Sequence, residues 1–144
     1  MKKILFLGFI IAGVLAFYYW KNPLGAKVKI KNQVFLVEVA VTPKQRERGL
    51  SGRKSLGENR GMLFLFGQPG VYHFWMKDML FPLDFVWMKG NTIVQLNANI
   101  PPPKVGEAPV ELSPKAPIDK VLEVNSGTIQ KLDIVVGDKV EFVK

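Results

Sequence analysis

The chain has 144 residues, with 20 basic and 12 acidic side chains, a net charge of +8 at pH 7, one histidine and no cysteine. The missing cysteine excludes disulfides, thiol nucleophiles, iron–sulfur clusters and cysteine-based zinc sites, and a lone His73 supports no multi-histidine metal site, so neither metal nor cofactor is expected. From Lys27 onward 17 basic residues stand against 12 interspersed acidic ones, a mildly basic surface that makes nucleic acid an unlikely partner.

In chain order, Lys2 and Lys3 precede residues 4–20, an apolar run without a charge that ends in Tyr18, Tyr19 and Trp20. As a helix it is near the minimum for crossing a bilayer, and the aromatic pair and tryptophan suit a membrane interface. The expectation is a transmembrane anchor over residues 1–21, with the membrane as partner through residues 4–20. The flanking lysines predict that the chain beyond the anchor lies outside the cytoplasm. The alternative is a cleaved signal peptide, because Val14-Leu15-Ala16 offers small residues where a signal peptidase reads, leaving a secreted or periplasmic domain.

Residues 22–26 form a tether, and residues 27–144 form the exported domain. Lys27-Val28-Lys29-Ile30-Lys31 alternates as a half-exposed strand, with lysines suited to guarding a sheet edge. A second strand covers residues 34–41. Thr42, Pro43 and Gln45 then spell a capping box with proline at the first helical position, and Gly49 ends the short helix. Further strands are expected over residues 62–66 and 71–76, separated by a turn at residues 67–70. Residues 83–88 and 92–100 pair about Gly90-Asn91, residues 121–124 form a short strand, and residues 134–136 and 140–143 pair about Gly137-Asp138. Residues 101–118 hold six prolines without a strand or helix period, which reads as a stiff surface excursion or as the wall of a cleft. Many short strands with one brief helix predict a mainly β, single-domain sandwich or partly closed barrel, preceded by the transmembrane helix.

Two clusters could carry chemistry. On a strand, His73, Trp75 and Lys77 share one face, with Asp78 and Asp84 following, and an aromatic beside an imidazole and an ammonium suits a small anionic or sugar-like ligand. Arg46, Arg48 and Arg53 surround Gly49 and Gly52, where a guanidinium could fork a carboxylate or phosphate. We therefore expect Arg48 or Arg53 to pair with Asp78 or Asp84.

Arg48-Gly49-Leu50-Ser51-Gly52-Arg53, Gly61-Met62-Leu63-Phe64-Leu65-Phe66, Phe74-Trp75-Met76-Lys77-Asp78, Pro82-Leu83-Asp84, Val121-Leu122-Glu123-Val124 with Ser126-Gly127, and Gly137-Asp138 form an ordered set of blocks. The set resembles the signature of domain of unknown function 192. The resemblance implies a compact, mainly β fold, frequently behind an export signal or anchor, and it implies no particular activity. The family more often has methionine at the position of Ser51 and asparagine at that of Asp78.

The leading functional expectation is a membrane-anchored extracytoplasmic module that binds a small polar ligand, glycan or envelope protein through Arg48, Arg53, His73, Trp75, Lys77 and Asp78. One alternative is an enzyme acting on envelope carbohydrate with Asp78 and Asp84 as its carboxylate pair. Another is a structural or chaperone-like accessory protein, which would expose an apolar patch.

Overall fold

The computed structural model describes residues 25–143. Nine strands and two short helices follow in order: β1 (Ala26–Ile30), β2 (Gln33–Ala40), α1 (Pro43–Arg48), β3 (Arg60–Gly70), β4 (Phe74–Trp75), β5 (Leu83–Lys89), β6 (Thr92–Ile100), β7 (Glu111–Leu112), β8 (Ile118–Asn125), α2 (Thr128–Lys131) and β9 (Val140–Val143). Seven strands make one sheet in the order β6-β5-β8-β3-β2-β1-β9, and β4 and β7 make a separate ribbon. Pairing is antiparallel except between β2 and β3, whose connection through α1 brings the two strands parallel. The edge strands β6 and β9 curl toward each other. Thr92 bridges Lys139, and the Ile93 amide donates to the Asp138 carbonyl at 3.0 Å.

Both faces of this sheet are covered, because side chains alternate along each strand. Val28, Val37, Leu63, Val86 and Leu122 build one core with Ile129 and Leu132 packed against it. Phe64, Phe85, Trp87 and Val121 build the other, under Leu50, Met76 and Met79. Of the expected sandwich or partly closed barrel, the sandwich is corrected: one sheet curls into a half-barrel, and a two-stranded ribbon covers part of one face. Two short helices stand where one was expected, since the chain after β8 makes the four-residue turn of α2.

The proposed transmembrane segment 4–20 lies outside the described residues. Among the described residues no helix is long and apolar enough to cross a membrane. The longer helix, α1, has six residues, against about 20 needed to span a bilayer. The expectation of a membrane-anchored, single-pass extracytoplasmic protein, with the membrane as partner, therefore finds no support in the fold and is set aside.

Other differences are local. The expected turn at residues 67–70 belongs to β3, which bulges between Leu65 and Gly70 and then rejoins β8 at Ile118. The expected strand over residues 71–76 shrinks to β4. There Tyr72 turns back to donate its hydroxyl to the Gln68 carbonyl at 2.7 Å and stack on Phe66. Residues 134–136 form no strand: Ile134 plugs the first core, and the Val135 amide is held by the Asp138 carboxyl at 2.8 Å. The lysine-bearing β1 is not a sheet edge, because β9 pairs with it outside, Lys29 meeting Glu141 at 3.4 Å. The proline-rich excursion contributes β7, and with it a partner for β4.

Candidate functional site

The capping box forms as its residues dictate. Thr42 Oγ1 accepts from the Gln45 amide at 3.2 Å, and Gln45 Oε1 accepts from the Thr42 amide at 3.0 Å. Helix α1 stops at Gly49, whose φ of 48° and ψ of −132° disfavour any side chain. The chain then drops Leu50 into the second core. This helix end, the aromatic stretch of β3, and residues 72–75 surround a cleft of about 270 Å³.

The cleft has an aromatic wall. Phe66 and Tyr72 stack at 3.7 Å, while Phe74 meets Phe64 edge-on at 5.0 Å and Trp87 edge-on at 5.3 Å. Edge-to-face contacts of this kind hold rings in defined orientations. Arg46 lies 5.0 Å over the Phe66 ring and donates to the carbonyls of Val41 and Leu65, so it is committed to the wall.

At the floor of the cleft stands Glu123. It lies on β8 between Met62 of β3 and Phe85 of β5, and only 5% of its surface is exposed. A Cβ at Gly61 would come within 2.7 Å of the Glu123 carbonyl oxygen, so glycine there lets β3 pass this close to β8. Among the described residues nothing donates a hydrogen bond to the Glu123 side chain and no cation faces it. Burial alone pushes its pKa from 4.5 to about 8. Removing a carboxylate from water without a partner favours the protonated form. Glu123 is therefore a neutral acid near pH 7, able to donate one hydrogen bond into the cleft.

Of the residues singled out in the sequence, Arg48, His73 and Trp75 line this cleft. Trp75 is 45% exposed, and His73 Nδ1 lies 2.8 Å from Ser113 Oγ, which ties the aromatic stretch to the proline-rich excursion. Lys77, Asp78 and Arg53 are not brought to it. Lys77 lies in the turn after β4, its carbonyl accepting from Ser51 Oγ at 2.8 Å, so the shared strand face with His73 and Trp75 does not form.

The expected pairing of Arg48 or Arg53 with Asp78 or Asp84 is absent. Arg53 instead forks Glu38 through two bonds of 2.6 and 2.8 Å. Those hydrogen bonds lower the Glu38 pKa against the opposing effect of burial, and the Arg53 pKa rises with them. Asp78 is exposed with φ of 56°, a left-handed conformation that asparagine and aspartate tolerate better than other side chains. The asparagine–aspartate exchange at this position thus has a backbone explanation.

Asp84 is fully buried, and both of its oxygens are occupied: Oδ1 accepts from the Asn99 amide at 2.7 Å and Oδ2 from the Ile129 amide at 2.8 Å. It fastens the bulged end of β6 and the first turn of α2, on the sheet face away from the cleft. An acid/base pair of Asp78 and Asp84 has no geometric basis. Among the described residues no group of three or more His, Asp or Glu side chains is placed to hold a metal ion.

Sequence reasoning missed Glu123. Its signal was available: in Val121-Leu122-Glu123-Val124 a carboxylate interrupts an apolar run, and two-residue periodicity puts it on the same face as Val121. Aliphatic residues on both faces mark a central strand, where an acidic side chain needs a reason.

Two solved structures share the fold. A protein of Sinorhizobium meliloti 1021, provisionally described as a transcription regulator, is 32% identical with a TM-score of 0.75, over 81% of this chain and 92% of that one. A protein of unknown function from Novosphingobium aromaticivorans DSM 12444 is 32% identical with a TM-score of 0.73, over 80% of this chain and 83% of that one. Comparison with curated proteins finds no match. The profile of DUF192, described as an uncharacterised ACR, matches residues 26–142, nearly everything the structure describes. The chain belongs to the DUF192 family.

Proposed function

We propose that the domain acts chemically on a small molecule seated in the aromatic cleft, with Glu123 as the proton donor. The carrying observation is the buried carboxyl without a protein partner at the floor of a ligand-sized cleft. A carboxyl that is largely withdrawn from water, has no protein partner and still opens onto the cleft is placed for a ligand to complete its bonding. A carboxylic acid that keeps its proton near neutral pH can transfer it to an oxygen or nitrogen as a bond breaks, and a donor is most effective when its pKa is near the working pH. Arg48, His73 and Trp75 line the same cleft and supply binding contacts. In this reading Glu123 takes the acid role expected of the Asp78–Asp84 pair.

The provisional description of the Sinorhizobium relative as a transcription regulator favours a second reading, in which the cleft senses the small molecule without converting it. Two variants separate the readings. In full-length protein screened by thermal shift against a metabolite set at about pH 6.5, Glu123→Gln keeps a donor and retains binding, whereas Glu123→Leu loses it. Any turnover of the bound compound disappears in Glu123→Gln, because an amide transfers no proton. Ligands that bind all three forms equally would defeat the acid site. Binding without turnover in the unsubstituted protein would leave the sensor.

A further inference from the structure

The lining of the cleft restricts what it can hold. Its buried lining is Leu50, Phe64, Met79 and Leu83, and the one buried ionisable group is Glu123, while polar side chains such as Ser51 and His73 line the cleft nearer solvent. A sugar ring would bring several hydroxyls against this surface, and each buried hydroxyl without a partner opposes binding. A planar ring with one acceptor atom instead matches the single donor and gains contact with the aromatic side chains. A volume of about 270 Å³ is at the small end for ligand pockets, which suits one ring or a fused pair.

The rim carries Glu47 between Arg46 and Arg48, a set with net positive charge. Of the two arginines on the last turn of α1, Arg46 is held over Phe66 by two backbone carbonyls. The Arg48 side chain has no hydrogen-bond or ion-pair partner among the described residues, so its planar fork is available to a carboxylate. Building on the Glu123 acid site, we propose that the ligand is a planar aromatic carboxylate. Its ring lies against the aromatic wall, a ring acceptor meets the Glu123 carboxyl, and its carboxylate meets Arg48.

Four probes test this by calorimetric titration of the full-length protein at about pH 6.5: nicotinate, nicotinamide, benzoate and methyl glucoside. Nicotinate carries both the ring acceptor and the carboxylate, and it should bind tightest. Nicotinamide lacks the anion and benzoate lacks the acceptor, so each should bind about five- to tenfold more weakly. Methyl glucoside should not bind. Arg48→Gln should erase the preference for nicotinate over nicotinamide, while Glu123→Gln, still a donor, should keep nicotinate binding.

Equal affinity for nicotinate and nicotinamide, a preference unchanged in Arg48→Gln, tighter binding of the glucoside, or no binding of any probe at millimolar concentration would overturn the ligand class. A carbon-detected NMR titration of the Glu123 carboxyl separates that failure from a failure of the acid site. Titration in the ordinary carboxylate range removes the acid site itself. Titration near 8 together with a preference for neutral probes keeps the acid site and removes the anionic ligand.

Discussion

Asp84 and Glu123 are the two buried acidic residues among those described, and they sit on adjacent strands of one sheet. Asp84 faces Val124 and Glu123 faces Phe85, so the two are a single register step apart and point to opposite faces. Asp84 meets two backbone amides, one at a bulge and one in the first turn of a helix. Glu123 meets the cleft, whose lining is rich in aromatic side chains. Burial by itself therefore does not decide a carboxyl's role. What distinguishes the two is whether the fold supplies donors. Where it does, the residue is a fastener, and where it does not, the group holds its proton and is free for a ligand.

The largest effect separating them is pH dependence. Glu123 has its folded pKa raised from 4.5 to about 8, so between those values the native state binds a proton that the unfolded chain has released. The stability belonging to the neutral acid is complete below about pH 4.5 and is lost as pH rises toward 8, in total on the order of 4–5 kcal/mol. Glu123→Gln is uncharged throughout and should lack this fall. Chemical denaturation of both forms should give curves that diverge through the window, with the variant several kcal/mol more stable at about pH 9. Parallel curves would mean that Glu123 is ionised and held by a partner, and the contrast with Asp84 would vanish.

Asp84→Ala should destabilise by about 2–5 kcal/mol at neutral pH, because it leaves the Asn99 and Ile129 amides without their acceptor in a dry environment. A loss below about 1 kcal/mol would show that water or a local shift satisfies them, making Asp84 dispensable as a fastener. The smallest effect belongs to the Glu38–Arg53 pair, whose side chains are 41% and 36% exposed. Solvent screens it, and Arg53→Ala should cost under about 1 kcal/mol, an effect that added salt reduces. A cost near that of Asp84→Ala would place this pair among the structural supports of the loop after α1.

The sequence alone determined the features whose atoms lie within a few residues. The capping box needs only Thr42, Pro43 and Gln45 in order. The β5–β6 hairpin needs only Gly90-Asn91, with φ of 59° at Gly90, between two strand-forming runs. Strand existence over β1 and β2 followed from side-chain alternation and over most of β5, β6 and β9 from apolar runs beside turn residues, and the ordered blocks identified the family.

Tertiary structure decided everything that depends on which strands become neighbours. Arg53 found Glu38, fifteen positions away on β2, because the connection through α1 lays the loop over that strand. Asp84 found its two amides because β5 lies beside β6 and near α2, and Glu123 found none because its neighbours Met62 and Phe85 offer only apolar side chains. A carboxyl's chemistry depends on the donors, cations and solvent within a few ångströms of it. Those surroundings are assembled from distant parts of the chain only when the sheet closes.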